Sequence, residues 1–456
     1  MWKLIKILLA GIAVSFYFFP FEFTFLPGVN TKMAMAGVGL VLYALDLAKG
    51  RAPQINKDGF QIAVIATLVS LCGLASVIIN NTNDYTYATY IVSMFVWLGG
   101  AYTAVKIVKW LHGYVSVELI CNYLIGVCVG QCVLALMIDS IPAFKTIVDR
   151  YVIGFDFVDT ERLTKANRLY GIGAGLDVAG TRFATVLVMI AFMIQRLSES
   201  RFYHYIWLYL VAFIFIGLVG NMMARTTTVG VVVSLAYWGM SSGALKMSLR
   251  KDNVRVWKYL IGVLCIALPV IIYLYSANQQ FHDNVRFAFE GFFSIAETGK
   301  WETNSNNILK NMIVFPDNMK TWLIGDGYIE NPYSRDPYYV GPNFGGYSRD
   351  PYYVGPNFGG YYMATDIGYL RFIFYFGLIG LVTFISYFLK VAKTCVSRFP
   401  KYATMFWLVL AINMIVWLKV STDIFLVFAI FLCISKEDNE EYENKYENSL
   451  SNPLDI

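Results

Sequence analysis

Hydrophobic residues come in runs of roughly twenty along almost the whole chain, each long enough to cross a bilayer as an α-helix. Twelve runs stand out, near residues 4–20, 31–48, 61–80, 86–106, 114–138, 181–196, 204–222, 226–242, 257–276, 366–390, 403–419 and 421–435. Most are separated by short polar connections. Two interruptions are longer, Asp139–Gly180 and Ala277–Thr365. The pattern divides the chain into a nine-helix bundle over 1–276, a large loop over 277–365, three helices over 366–435 and an acidic tail over 436–456. Inside the large loop, YSRDPYYVGPNFGG at Tyr333–Gly346 recurs letter for letter at Tyr347–Gly360. A loop of this length in a compact protein is usually functional or disordered. It reads as a lid over a site built from the surrounding helices.

Composition turns this pattern into a class. With 57% hydrophobic and 15% charged residues, the 456-residue chain is an all-α, polytopic integral membrane protein of about twelve transmembrane helices rather than a string of soluble domains. The net charge of +5 carries no implication of nucleic acid, because the basic residues follow the connections. Lys49, Arg51, Lys57, Lys106, Lys109, Arg196, Arg201, Lys246, Arg250, Lys251, Lys390, Lys393, Arg398 and Lys401 all fall in even-numbered connections. The positive-inside rule then places both termini in the cytoplasm and both long interruptions outside. The tail after Lys436 is expected to be solvated and disordered. MWKLIKILLAGIAVSFYFF has the look of a signal peptide but no small-residue cleavage site, and is taken as the first membrane helix.

The seven cysteines (Cys72, Cys121, Cys128, Cys132, Cys265, Cys395 and Cys433) lie in or beside apolar runs without metal-ligand spacing. Buried packing explains Cys128 and Cys132. Glu118 and Gln131 are polar, isolated and unassigned. The loop aromatics, Trp301, Trp322 and many tyrosines, suit an interfacial belt or contacts to sugar rings equally well.

The informative charges are those that oppose the inside bias. Arg168 and Arg182 bracket the sixth run in RLYGIGAGLDVAGTRFA, Arg225 sits in MMARTTTVG, and Arg371 lies a turn into the tenth run. Each arginine alone could snorkel or pair with a nearby acid, as Arg168 with Asp177. Several on one face of the membrane point instead to an oxyanion, which the planar guanidinium grips with two hydrogen bonds. A phosphate-bearing lipid at headgroup depth fits. Gly171, Gly173 and Gly175 follow no βαβ pattern and are no dinucleotide fingerprint; close backbone approach to a ligand, or loop flexibility, accounts for them. Two residues are candidate general bases, His282 in the loop and Asp366 at the mouth of the tenth helix, where it could also serve as the helix cap.

These residues carry a resemblance. The chain resembles the bacterial O-antigen polymerase and O-antigen ligase superfamily in its dozen helices, cytoplasmic termini and large late loop. Arg168-Leu169-Tyr170-Gly171 is similar to the family's Arg-x-x-Gly segment, and Ala224-Arg225-Thr226-Thr227 to its Ser-Arg-type turn. Gly325-Asp326-Gly327 is similar to its late Gly-x-Gly turn, and Asp366-Ile367-Gly368-Tyr369, followed by Phe376-Gly377-Leu378-Ile379-Gly380, to the entry of the next helix. The resemblance implies transfer of a glycan from an undecaprenyl diphosphate carrier onto a new lipid-linked repeat unit at the outer face of the inner membrane. It implies Arg168, Arg225 and Arg182 as the groups that stabilise charge on the leaving diphosphate. Together with the residue-level candidates, the expected substrate contacts are Arg168, Arg182, Arg225, Arg371 and Asp326, and the expected catalytic set is Asp366, His282, Arg168 and Arg225. No metal and no cofactor is implied. The partners are the lipid-linked oligosaccharide donor and acceptor, the bilayer and a chain-length regulator, with no nucleic acid. The ligases carry a histidine late in the loop that is missing here, which favours a polymerase. A flippase for the lipid-linked unit and an assembly scaffold are the rival classes; the chain shows no paired half-chains of the transporter kind, and a scaffold leaves the outer arginines unexplained.

The identity of the two loop copies marks a recent duplication. Loop-closure entropy changes slowly with length, so deletion of Tyr347–Gly360 is expected to leave expression and activity near wild type. A well-expressed but inactive deletion would give the second copy a role.

Overall fold

A computed structural model of the chain describes residues 2–50, 57–153, 168–197, 199–241, 251–332 and 361–442, with 199–204 and 251–255 as backbone alone. The loop repeat at 333–360 lies outside the described residues. The chain runs through α1 (Trp2–Phe18), β1 (Glu22–Phe23), α2 (Thr31–Ala48), α3 (Lys57–Asn80), α4 (Tyr90–His112), α5 (Val117–Ser140), α6 (Pro142–Tyr151) and β2 (Val152–Ile153). It continues through α7 (Leu176–Arg196), α8 (Glu199–Met223), α9 (Thr227–Ser241) and α10 (Lys251–Ala277). The insertion holds α11 (Gln279–Ala288), α12 (Glu290–Thr298), α13 (Asn304–Asn311) and α14 (Met319–Ile324), before α15 (Gly368–Arg398), α16 (Ala403–Val416) and α17 (Phe425–Leu432). Each apolar run read from the sequence falls on a helix. Among the described residues, eight helices are long and apolar enough to cross a membrane. The fold is that of a helical membrane protein; β1 and β2 form only a two-residue antiparallel ribbon.

Local chemistry sets the helix ends. Asn30 and Ser116 cap α2 and α5 by accepting from Met33 N (3.0 Å) and Leu119 N (3.2 Å). Gly113, at φ 83°, terminates α4. Ion pairs Lys106–Asp46 (2.7 Å), Lys390–Asp58 (2.6 Å) and Lys109–Asp438 (2.8 Å) tie helix ends together where the basic connections gather. The last of these corrects one expectation. The start of the acidic tail is not free in solvent: Asp438 holds Lys109, and Asn439 accepts from Val117 N at 3.0 Å.

The loop glycines at 171 and 173 also have a different partner from the expected ligand. Gln131, buried in α5, grips Ile172 through both its backbone groups, accepting from its N at 3.0 Å and donating to its O at 2.9 Å. A Cβ on Gly171 would stand 2.5 Å from Gln131 Oε1, and one on Gly173 (φ 69°) would stand 2.4 Å from Phe19 O. The close backbone approach is to α5 and the end of α1. It fixes the segment that carries Arg168.

α15 is broken inside its apolar length. At Gly377 (φ 68°, ψ −174°) the backbone leaves the helix, so carbonyls just before it lose their intrahelical donors. The Gly325–Gly327 turn fills the break: Asp326 N donates to Phe374 O at 2.6 Å and Gly327 N to Tyr375 O at 3.1 Å. α3 completes it, with Ser76 Oγ donating to Tyr375 O (2.7 Å) and Asn80 Nδ2 to Gly325 O (3.0 Å). Neither glycine tolerates a side chain, since their Cβ atoms would meet Leu323 O at 2.1 Å and Tyr375 O at 2.4 Å. Both sit in a backbone region that is essentially glycine-only. Gly377→Ala or Gly325→Ala is therefore expected to cost about 3 kcal/mol or more, while Gly126→Ala, which meets open space, stays near neutral. Unfolding of the purified variants in detergent checks the contrast.

Candidate functional site

Two of the arginines singled out by sequence meet on one ring. The Arg225 guanidinium lies 4.3 Å and that of Arg168 5.0 Å from the centroid of Phe287 on α11. Arg225 stands in the tight turn between α8 and α9, where Thr227 N donates to Ala224 O at 3.1 Å. Arg168 is held by Leu169 N, which donates to Met222 O at 3.1 Å at the end of α8. α7 comes close because Gly180 offers no side chain to collide with Ala224 and Thr226.

Arg225 makes one ion pair among the described residues. Its Nη1 is 2.5 Å from Glu290 Oε2 at the start of α12, yet the angle leaves Nη1, Nε and Glu290 Oε2 without a directed hydrogen bond. The other oxygen of Glu290 accepts from Asn304 N at 3.0 Å. Burial lowers the Arg225 pKa from its ordinary value, and Glu290 opposes that shift. Arg168 makes no ion pair among the described residues. The expected local partner, Asp177, feels Arg168 electrostatically, but its direct contacts are with Thr226 Oγ1 and Lys419 Nζ, from which it accepts, the latter at 3.0 Å.

Asp177 links the arginine pair to a second charged group. Electrostatically it acts on Arg225 and Asp366 alike. Asp366 is half-buried beside Arg371, whose Nη1 is 3.6 Å from its Oδ1. Arg371 also donates from Nη2 to Ile329 O at 3.1 Å and stacks on Tyr361 at 4.5 Å. Burial pushes the Asp366 carboxyl up to about 7, with Asp177 adding to the rise and Arg371, Lys419 and Tyr361 opposing it. The helix-cap role is not taken: Ile367 occupies the cap position of α15, with no side-chain cap bond there. The direction of that shift, towards neutral pH, is the one that suits a general base.

Three candidates stand apart. Arg182 is 6% exposed and donates from Nη1 to Phe18 O at 2.6 Å, under the rings of Phe18, Phe19 and Trp97. It is a strut between α7 and the end of α1. Asp326 accepts from Thr321 Oγ1 at 2.7 Å and from Tyr362 Oη at 3.4 Å, inside the turn that fills the α15 break. His282 pairs with Asp283 at 2.9 Å and packs on Tyr275, and no described contact joins it to either arginine.

Sequence reading missed Phe287, Glu290 and Lys419. Lys419 had a signal, since it lies at the end of an odd-numbered run and opposes the inside bias as the arginines do. Phe287 and Glu290 had none. No group of acids, histidines and cysteines among the described residues has the arrangement of a metal site. Comparison with protein-family models, curated proteins and solved structures finds no match.

The raised Asp366 pKa has a sign that can be measured. Between about pH 4 and pH 7 the folded state binds a proton that the unfolded state has released, so this residue's contribution to stability falls as pH rises through that window. Asp366→Asn removes that term. The variant is expected to match wild type near pH 4 and exceed it in unfolding temperature at pH 8, and a parallel pair of profiles would place the carboxyl at its ordinary pKa.

Proposed function

We propose that the protein is a polysaccharide repeat-unit polymerase of the O-antigen polymerase type, working from an undecaprenyl diphosphate-linked donor onto a lipid-linked acceptor. In this reading the twelve helical segments all span the inner membrane, both termini are cytoplasmic, and the arginine pair opens to the outer face. The observation that carries it is the convergence of Arg168 and Arg225 on Phe287, with the Nε–H of the half-buried Arg225 left without a hydrogen-bond partner among the described residues. Glu290 pairs with Arg225 alone, whereas a diphosphate would offer oxygens to both guanidinium groups at once.

Chemically, an acceptor hydroxyl attacks the anomeric carbon of the donor sugar. The bond from that carbon to the phosphate oxygen breaks, and the lipid diphosphate leaves carrying the bonding electron pair. Arg168 and Arg225 stabilise the charge that builds on it. Asp366 takes the hydroxyl proton, with Asp177 and Lys419 setting its charge state and Arg371 holding it in place. No nucleotide sugar enters the step.

Removing a donor to a developing anion costs about 3 kcal/mol, roughly a hundredfold in rate. Arg168→Ala and Arg225→Ala are each expected to lose chain extension to that degree while inserting normally, and Arg→Lys to recover only part, because lysine keeps the charge without the fork. The glycans that accumulate identify the step. Single repeat units at the surface mark a polymerase defect. Long glycans left on the carrier would make the protein a ligase, and lipid-linked units trapped inside would make it a transporter.

A further inference from the structure

Next to the arginine pair is a cavity of about 370 Å³ to which the donor reading assigns nothing. It lies between the end of α5, the Arg168–Tyr170 segment and the first turns of α11. Its size falls in the range of about 300–1,000 Å³ for small-molecule sites. Its lining is mixed in a specific way: two carboxylates, Asp139 and Asp283, and two cations, Lys145 and Arg168, stand with three amides, Gln279, Gln280 and Asn284. Asp139 is held in place by two of them, accepting from Gln280 Nε2 at 2.6 Å and Asn284 Nδ2 at 3.5 Å.

This lining discriminates among ligand chemistries. Two cations against two carboxylates leave the lining without the net positive charge that would draw a bare anion. The amides are already bonded to the carboxylates, Gln280 and Asn284 to Asp139 and Gln279 to Asp283, so an apolar chain would cover their remaining donors and lone pairs without replacing any hydrogen bond. A ring bearing several hydroxyls matches both groups, because each hydroxyl donates to a carboxylate and accepts from an amide. Arg168 lines the cavity and at the same time lies over Phe287 beside Arg225. One ligand therefore reaches both places if it carries a sugar ring at one end and a phosphate at the other.

We propose that this cavity is a saccharide subsite for the sugar attached directly to the donor phosphate, read by Asp139, Gln280 and Asn284. The assignment rests on the donor reading above for its phosphate half only. It also gives the donor a direction, with the sugar towards α5 and α11 and the phosphate towards the turn between α8 and α9.

The test uses the full-length protein in lipid nanodiscs and saturation-transfer NMR with a panel of hexose and N-acetylhexosamine 1-phosphates. Inorganic phosphate and inorganic diphosphate serve as reference ligands. At least one sugar phosphate is expected to bind about tenfold more tightly than inorganic phosphate, the contribution of one or two hydrogen bonds. Gln280→Ala and Asn284→Ala are expected to erase that preference while leaving inorganic diphosphate binding unchanged. Asn284 is buried and its variant could unfold, whereas Gln280 is exposed and its variant keeps the test decisive. A sugar preference that survives Gln280→Ala, or a panel in which no sugar phosphate exceeds inorganic phosphate, overturns the subsite. Sugar binding that depends on Gln280 while diphosphate binding ignores Arg225→Ala would instead leave the subsite standing and remove the diphosphate reading.

Discussion

A helix surrounded by lipid has to satisfy its own backbone, since no water is present to do so. α15 breaks that rule at Gly377 and recovers it by borrowing. The donors come from the backbone of Asp326 and Gly327, some fifty residues earlier in the chain, and from Ser76 on α3. Much of the site's geometry depends on this exchange. It anchors the far end of the insertion in the bundle and fixes the first turns of α15 against α3. Tyr375 adds to the joint, its hydroxyl donating to Asp84 O at 2.7 Å. Arg371 and Asp366 sit on the segment so fixed, which allows a carboxylate to stay half-buried beside a guanidinium at a defined distance rather than fold back on itself.

The charged groups around Asp177 show a balance that favours an added anion. Arg168, Arg225, Arg371 and Lys419 face Asp177, Glu290 and Asp366, whose pKa burial raises. Asp177 lies in the first turn of α7, where the helix dipole stabilises a negative charge. It is already satisfied by Lys419 and Thr226. The positive excess is therefore concentrated at the arginine pair, where Glu290 approaches closely but off the hydrogen-bonding direction.

The helices were legible in the sequence because hydrophobic runs are local and the membrane makes them long. The break in α15 was not, because a glycine in an apolar run has the same appearance whether it packs or opens the helix. Its explanation lies in a turn remote in sequence. The arginines were found by one rule, a cation on the wrong side of the membrane. That rule reports depth and sidedness but not partners, so it selected Arg182, which is a strut, together with Arg168 and Arg225, which converge. Gln131 seemed isolated because its partners are backbone groups, and backbone leaves no mark in sequence. Asp366 was legible as a carboxylate at a helix entrance, whereas the burial that raises its pKa comes from its folded surroundings, Tyr361 included.

The insertion between α10 and α15 is bonded unequally along its length, and the inequality falls where the proposed chemistry needs it. At one end the Gly325–Gly327 turn is joined to the bundle by short backbone hydrogen bonds in a buried setting, where such bonds are costly to lose. At the other, α11 and α12 meet the arginines mainly through the Phe287 ring and the undirected Glu290 contact. Glu290 keeps a second attachment to Asn304 N, within the insertion itself. An anion arriving at Arg225 could therefore displace the carboxylate without leaving it unbonded. Displacing Glu290 from Arg225 would cost one ion pair, which two directed bonds from a guanidinium to a phosphate would offset, while Gln280 and Asn284 keep α11 tied to Asp139.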